Sequence, residues 1–100
     1  MTETITAAAF IALRQAKDLQ ILDVRSKSEW DKGHLSDAKR VLLGKILEDP
    51  LPFNRDEPLY VHCQSGVRSA VAIGALEERG FKKIVNILGG YTAIEKILNG

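Results

Sequence analysis

The chain has 100 residues, of which 45% are hydrophobic and 27% charged, and its 14 basic and 13 acidic side chains leave a formal net charge of +1. These values are typical of a soluble globular chain with one packed core, so we expect a single domain over residues 1–100. The balanced charge excludes the strong positive field of a nucleic-acid-binding protein, and no apolar run is long enough to span a bilayer, so neither nucleic acid nor membrane is an expected partner.

Cys63 is the only cysteine in the sequence. The first residues, Met1 to Thr4, are polar and acidic and lack the basic and then apolar pattern of a secretory signal, which predicts a cytoplasmic protein. In a reducing compartment a single cysteine is either an inert buried side chain or a working thiol. The residues around Cys63 decide between these two interpretations.

The first predicted element is a helix from Ala7 to about Lys17. Thr6 precedes it as an N-cap residue, and Ile5 and Phe10 have the spacing of a hydrophobic staple. The residues expected on its inner face are Ala9, Leu13 and Ala16.

The middle of the chain begins with an apolar run, Gln20 to Val24, that predicts a buried strand. The polar stretch from Ser26 to Gly33 predicts a loop with one short helix that ends at its glycine. Arg40 to Leu42 predicts a minor strand, and Gly44 to Leu47 a helical turn. All three prolines lie between Asp49 and Pro58, which predicts a surface loop.

The last part of the chain alternates strands and helices. Strands are predicted at Leu59 to His62 and at Lys83 to Ile87, and a helix is predicted from Ser69 to Arg79. A Gly89-Gly90 turn then leads into a final helix from Thr92 to Leu98. The residues expected on the inner face of that helix are Ile94, Ile97 and Leu98. The alternation predicts a three-layer α/β fold, a mainly parallel sheet with helices on both faces, and a ligand site beyond the carboxyl ends of the strands.

The loop from Cys63 to Arg68 follows a predicted strand and enters a helix. Its backbone N–H groups, with those of the first helical turn at Ser69, can converge on an anion, and the helix dipole adds partial positive charge. Gly66 permits a tight curl, and Arg68 adds a fixed cation. Helix N-termini and cations lower a cysteine pKa from about 8.5 to between about 3.5 and 7.5. The setting predicts a nucleophile, because an inert buried cysteine would explain neither the glycine nor the arginine.

Four groups of residues carry a family resemblance over nearly the whole chain. They are Asp23-Val24-Arg25, then Glu29-Trp30 with Gly33-His34-Leu35, then the loop from Cys63 to Arg68 with Ser69, and finally Gly89-Gly90-Tyr91. In order and spacing these residues resemble the rhodanese domain. The resemblance implies a rhodanese-like fold and a cysteine that takes a sulfane sulfur from a donor, becomes a persulfide and gives the outer sulfur to a nucleophilic acceptor.

The loop and the resemblance together predict the roles of individual residues. Cys63 and Arg68 are expected to be catalytic: the thiolate attacks the outer sulfur of thiosulfate or of a low-molecular persulfide, and the arginine and the loop amides stabilise the negative charge. The acceptor is expected to be a thiol or cyanide, and no cofactor or metal is expected. The residues expected to contact the substrate are Gln64, Ser65, Gly66, Val67, Ser69 and Asp23. For Asp23 an equal alternative is that it holds loops through ion pairs and hydrogen bonds.

The stretch from Val61 to Ser69 resembles most the rhodanese modules found beside metallo-β-lactamase-fold persulfide dioxygenases. That resemblance implies one of two arrangements. The chain is either a free-standing relative of those modules or a module that works with a partner protein or a fused dioxygenase-type domain.

Two other functions stay open at this point. Phosphatases and arsenate reductases also use a cysteine loop that ends in arginine, but they place five residues between the two, whereas four residues separate Cys63 from Arg68. The second alternative is a non-catalytic sulfur carrier or regulatory module, since one fold hosts many functions.

Several polar side chains are expected to support the loop rather than to react. Arg25 is expected to hold loops through an ion pair, with Glu29 as its partner. His34 is expected to order the loop after Gly33. His62 is expected to pack on the face opposite Cys63, because neighbouring side chains of a strand point to opposite faces.

Overall fold

The computed structural model describes residues 2–100, and within them the chain forms five strands and four α-helices. The strands are β1 (Thr2–Ile5), β2 (Gln20–Asp23), β3 (Ala38–Arg40), β4 (Leu59–His62) and β5 (Ile84–Ile87). The helices are α1 (Ala7–Ala16), α2 (Lys27–Lys32), α3 (Val67–Glu78) and α4 (Gly90–Asn99), with a 3-10 turn at Leu43–Lys45.

The five strands form one sheet in the order β1-β5-β4-β2-β3, and every neighbouring pair is parallel. β4 lies at the centre, and all four of its residues are buried. Asp23 at the end of β2 is level with His62 at the end of β4. The two strands therefore end together, and the residues that follow them share one edge of the sheet.

Two apolar clusters cover the two faces of the sheet, so the predicted three-layer α/β fold is confirmed. On one face α1 and α4 pack around Phe10 and Ile94, which are fully buried. On the other face α3 and the 3-10 turn pack around Ala72 and Ile46. Each cluster takes alternate residues of β4, as the two-residue period of a strand requires.

The ends of α1 and α2 have clear local causes. The Thr6 side chain accepts a hydrogen bond from the Ala9 N–H, as expected of the N-cap of α1. α2 begins with a capping box, in which Ser26 and Glu29 each accept a hydrogen bond from the other's backbone N–H. The capping box fixes the Glu29 carboxylate close to the start of α2.

The structure differs from the sequence predictions in several boundaries. Residues 2–5 form the edge strand β1, which was not predicted, and β3 lies at residues 38–40 rather than 40–42. α3 begins two residues before the predicted start, at Val67, and α4 begins at Gly90. Both helices therefore reach further into the loops at the carboxyl edge of the sheet.

The predicted inner faces of the first and last helices are partly wrong. Ala9 and Ala16 are exposed, while Phe10 and Ile11 are buried, because that stripe of α1 covers more apolar area. In α4 Ile94 is buried, whereas Ile97 and Leu98 are 42% and 48% exposed. No helix among residues 2–100 combines the length and the apolar character that a membrane crossing needs.

Candidate active site

Cys63 lies directly after the central strand β4, at the start of the loop that leads into α3. Its sulfur accepts a hydrogen bond from the Gly66 N–H at 2.9 Å and lies 3.7 Å from the Ser69 hydroxyl oxygen. The Ser69 hydroxyl oxygen also lies 3.1 Å from the Gly66 carbonyl, so its one proton goes either to that carbonyl or to the sulfur. Cys63 is 1% exposed, so the loop wraps around its own sulfur.

The loop favours the thiolate form of Cys63. Burial raises the pKa of the thiol, but hydrogen bonds from the backbone and hydroxyl of Ser69 and from the N–H groups of Gly66 and Ser65 lower it further than burial raises it. The net pKa lies below the ordinary value. The nucleophile predicted from the sequence therefore sits in surroundings that stabilise its reactive form.

The N-terminus of α4 holds the loop from the other side. The Tyr91 N–H donates to the Cys63 carbonyl at 2.7 Å, and the Thr92 N–H donates to the Gln64 carbonyl at 2.9 Å. These N–H groups lie in the first turn of α4 and have no partner within the helix. The two loop carbonyls are thereby bound on the side of α4.

Glycine is required where α4 meets the loop. Gly90 has a φ of +59°, and a Cβ there would lie 2.6 Å from the Cys63 carbonyl oxygen. Gly66 has a φ of +107°, which lets the loop curl back to the sulfur. The sequence analysis assigned no site role to Gly90, Tyr91 and Thr92, although Gly89-Gly90-Tyr91 was one of the groups that carry the family resemblance.

A buried ion pair lies beneath the loop, and we call Asp23 and Arg25 the floor pair. Their side chains are 0% and 1% exposed. The Asp23 carboxylate accepts hydrogen bonds from the Arg25 backbone N–H and from its Nε and Nη2, at 2.8 to 3.0 Å. Because Asp23 is enclosed and fully bonded, this arrangement gives the predicted substrate contact of Asp23 no room.

Arg25 connects this floor to the parts of the site around it. Its Nη2 donates to the Gly33 carbonyl at 2.8 Å, its Nη1 donates to the Gln64 side chain at 2.9 Å, and its guanidinium lies 4.2 Å above the Tyr91 ring. Gln64 also donates to the Thr92 hydroxyl at 3.1 Å. The prediction that Arg25 holds loops is confirmed by these contacts, whereas the prediction that Glu29 is its partner is wrong.

His62 lies on the face opposite Cys63, as predicted, and stacks near Tyr91. Its Nδ1 lies 3.2 Å from the Cys63 carbonyl, and its Nε2 is 3.8 Å from Asp23. Burial lowers the pKa of His62, and the nearby Asp23 only partly offsets this. The contact of its ring Nδ1 with the Cys63 carbonyl supports the loop. The ring Nδ1 of His34 donates to the Trp30 carbonyl at 2.8 Å, a contact that spans Gly33.

The second arginine, Arg68, lies in the first turn of α3 directly after the Cys63 loop and pairs with Glu29, and we call these two residues the mouth pair. Both terminal nitrogens of Arg68 donate to the two carboxylate oxygens of Glu29, each at 2.7 Å. The hydrogen bond from Arg68 lowers the pKa of Glu29 from 4.5 to about 2, and the same bond raises that of Arg68. The sequence analysis expected Arg68 to act as a fixed cation at the loop, and its terminal nitrogens are both bound to a carboxylate from α2.

The remaining predicted substrate contacts line the outer part of the loop. Ser65 is exposed, Val67 is 72% exposed, and Gly66 is half-buried. Gln64 and Ser69 point into the support network instead. The parts of the loop that water reaches therefore include Ser65, Val67 and the half-buried Gly66 and Arg68.

Known proteins that are similar to this chain share its fold and its family. The sequence matches the rhodanese-like domain family over residues 6–97. YrkF of Bacillus subtilis, a candidate sulfur carrier protein, is 34% identical over 74 residues, which make up 74% of this chain and 40% of YrkF. The thiosulfate sulfurtransferase GlpE of Coxiella burnetii is 28% identical over 79 residues, 79% of this chain and 74% of that protein.

A solved structure with the same fold is that of a rhodanese-like domain protein from Staphylococcus aureus. It superposes with a TM-score of 0.83 at 34% sequence identity and covers 92% of this chain and 90% of its own. The chain is thus similar in size to this isolated domain, but it spans less than half the length of YrkF.

Proposed function

This chain belongs to the rhodanese-like domain family, and we propose that it is a sulfurtransferase that carries a sulfane sulfur on Cys63. The donor is thiosulfate or a low-molecular persulfide, and the acceptor is a thiol or cyanide. The observation that carries the proposal is the 2.9 Å hydrogen bond from the Gly66 N–H to the Cys63 sulfur, in a loop that lowers the thiol pKa.

The first half of the reaction loads the sulfur. The Cys63 thiolate attacks the outer sulfur of thiosulfate, the sulfur–sulfur bond of the donor breaks, and sulfite leaves with the bonding pair. The product is a Cys63 persulfide anion. The loop N–H groups at Gly66 and Ser69 stabilise negative charge at the attacking sulfur, and Arg68 contributes positive charge nearby.

The second half returns the enzyme to its starting state. The acceptor thiolate attacks the outer sulfur of the persulfide, and Cys63 leaves as a thiolate. The low pKa of Cys63 favours this step as well, because a weaker base is a better leaving group. No oxidant or cofactor is needed, since each half breaks one bond to the transferred sulfur and forms another, to the acceptor sulfur or to the carbon of cyanide in the second half.

Mass spectrometry of the protein after incubation with thiosulfate tests this function. We expect a gain of one sulfur atom on Cys63 and release of one equivalent of sulfite, and Cys63→Ser should abolish both. Ser69→Ala, which keeps the thiol, is the matched variant and should load more slowly at neutral pH, because one hydrogen bond to the sulfur is lost. A Cys63→Ser protein that still released sulfite at the wild-type rate would overturn the proposal.

A sulfur-carrier role is the second candidate, and the enclosure of Cys63 favours it. A side chain that is 1% exposed can store a sulfur away from competing thiols, and the similar protein YrkF is a candidate sulfur carrier. The two functions differ in turnover. Repeated sulfite release with cyanide as acceptor supports the transferase, whereas a single loading followed by no turnover supports the carrier.

The phosphatase alternative is weaker because the loop is short. Only four residues lie between Cys63 and Arg68, and the terminal nitrogens of that arginine contact Glu29. An aryl phosphate assayed beside thiosulfate should therefore be hydrolysed only marginally. Efficient, Cys63-dependent phosphate release would move the protein to that class.

A further inference from the structure

We propose that Glu29 sets the donor specificity of this site by neutralising Arg68, so that dianionic sulfur donors are disfavoured relative to donors of lower charge. This inference rests on the proposed sulfurtransferase function and adds a specificity-determining residue to it. Glu29 belongs to α2, far from Cys63 in sequence, and the loop itself does not predict its part in the site.

The geometry of the mouth pair carries the inference. A guanidinium binds an anion best through two parallel N–H groups, and both terminal nitrogens of Arg68 are already engaged with Glu29 at 2.7 Å. An anionic donor therefore meets an ion pair of zero net charge, not a free cation. To bind Arg68 through both nitrogens, the donor would have to displace a carboxylate.

That carboxylate is fixed in place. The Glu29 Oε1 also accepts hydrogen bonds from the Ser26 backbone N–H at 3.1 Å and from the Ser26 hydroxyl at 3.0 Å. The bond from the Ser26 N–H is half of the capping box of α2, so Glu29 cannot move away without exposing the start of that helix. The negative charge therefore stays at the mouth when a donor arrives.

The mouth pair is electrostatically coupled to the reacting sulfur. The charge of the Cys63 thiolate contributes to raising the pKa of Arg68. The Arg68 and Glu29 side chains are 37% and 27% exposed, so water and salt screen this coupling only in part. A change of one charge at the mouth should therefore be felt by a donor at Cys63.

Two donors that differ by one charge reveal the effect. Thiosulfate is a dianion and leaves as sulfite, and benzenethiosulfonate is a monoanion and leaves as benzenesulfinate. Both give the same Cys63 persulfide. The ratio of their kcat/KM values cancels any loss that a variant causes in both reactions, and it reports the charge at the mouth.

The central variant is Glu29→Gln, which removes the charge and keeps a residue that can complete a capping box. We expect the ratio of the kcat/KM values for thiosulfate and benzenethiosulfonate to rise about three- to tenfold, because one negative charge is removed from a partly screened site. Most of the change should be a lower KM for thiosulfate. Asp31→Asn makes the same charge change two residues away, in an exposed pair with Lys27, and should leave the ratio unchanged.

A second variant makes the test independent of any one substitution. Arg68→Gln leaves Glu29 uncompensated, so the ratio should fall below that of the wild type, although both rates will drop. The double variant Glu29→Gln with Arg68→Gln restores a neutral mouth, and its ratio should return towards the wild-type value. An unchanged or lower ratio in Glu29→Gln would overturn the inference, and so would an unchanged ratio in Arg68→Gln.

Failure of this inference is distinguishable from failure of the proposed function. If the wild type loads sulfur from both donors but the variants do not alter the ratio, only the role of Glu29 is wrong. If the wild type forms no Cys63 persulfide with either donor, the sulfurtransferase function itself is wrong.

Discussion

Two arginine–carboxylate pairs flank the loop that begins at Cys63, yet their surroundings differ sharply. The floor pair, Asp23 and Arg25, is essentially free of solvent contact, and Arg25 also contacts Gly33, Gln64 and the ring of Tyr91. The mouth pair has side chains 37% and 27% exposed. Burial therefore separates a pair that holds the loop from one that a substrate can meet.

This difference predicts opposite consequences for stability and for specificity. Removing one partner of a buried pair leaves a charge with neither water nor a counter-ion, which is costly. Removing one partner of a partly exposed pair leaves a charge that water can solvate. Substitutions in the floor pair should therefore lower the free energy of unfolding, whereas substitutions in the mouth pair should mainly change reaction rates.

The largest expected effect is that of Arg25→Met, which keeps much of the side-chain volume and removes the charge. It leaves the Asp23 carboxylate buried and unpaired, so we expect a loss of about 3 to 5 kcal/mol in the free energy of unfolding. Urea denaturation measures it. Arg14→Met, which breaks the more exposed pair with Asp37, is the control and should cost about 1 kcal/mol or less. Similar losses of unfolding free energy in both variants would show that the buried floor pair is no more important for stability than an exposed ion pair.

The next effect concerns the contact between the loop and α4. In Gly90→Ala the new methyl group meets the carbonyls of Cys63 and Gln64, and the backbone is held at positive φ. Together these should cost about 2 to 4 kcal/mol and slow the alkylation of Cys63, because the loop shifts.

Gly74→Ala is the matched control for that substitution. Gly74 lies within α3, and an added Cβ there has no neighbour within 4 Å. This variant should be more stable than the wild type by about 0.5 to 1 kcal/mol and should be alkylated at the wild-type rate. A Gly90→Ala protein that behaved in the same way would show that α4 does not hold the loop.

The smallest effect is the acid dependence of the mouth pair. The pKa of Glu29 is about 2 in the folded protein, below its ordinary value of 4.5, so its contribution to stability is complete above pH 4.5 and is lost as the pH falls towards 2. Because the pair is partly exposed, we expect Glu29 to contribute about 1 kcal/mol to the free energy of unfolding.

Comparing the free energy of unfolding of the wild type and Glu29→Gln across this pH range isolates that contribution. The difference between the two proteins should shrink towards acid pH. A difference that stayed constant from pH 6 to pH 2 would contradict the low pKa of Glu29.

The sequence predicted the fold well because its signals are local. Strands β2, β4 and β5 are short apolar runs, and the loop at Cys63 has glycine and arginine at informative positions. The edge strand β1 was missed because Thr2, Glu3 and Thr4 are polar and exposed, and such a strand is specified by its pairing with β5 rather than by burial.

The partners of the two arginines could not be predicted from spacing. Arg25 and Glu29 are four residues apart, which suggests a pair along one helix. However, Arg25 lies before α2, and its side chain turns back towards Asp23 at the end of the sheet. Glu29 is then left to Arg68, 39 residues further along the chain. The assignment depends on how α2 packs, which no local pattern records.

The contact between α4 and the Cys63 loop means that the loop depends on residues synthesised later than its own. A ribosome makes Cys63 and Gly66 well before Tyr91 and Thr92, whose N–H groups bind the loop carbonyls. The central strand β4 likewise lacks one of its two neighbours until β5 has been made, and β1 joins the sheet only through β5. A nascent chain that has not reached residue 92 therefore cannot complete the loop, and its thiol should react like that of an ordinary peptide. We therefore expect the thiol to reach its lowered pKa only after Tyr91 and Thr92 have been made and have bound the loop carbonyls.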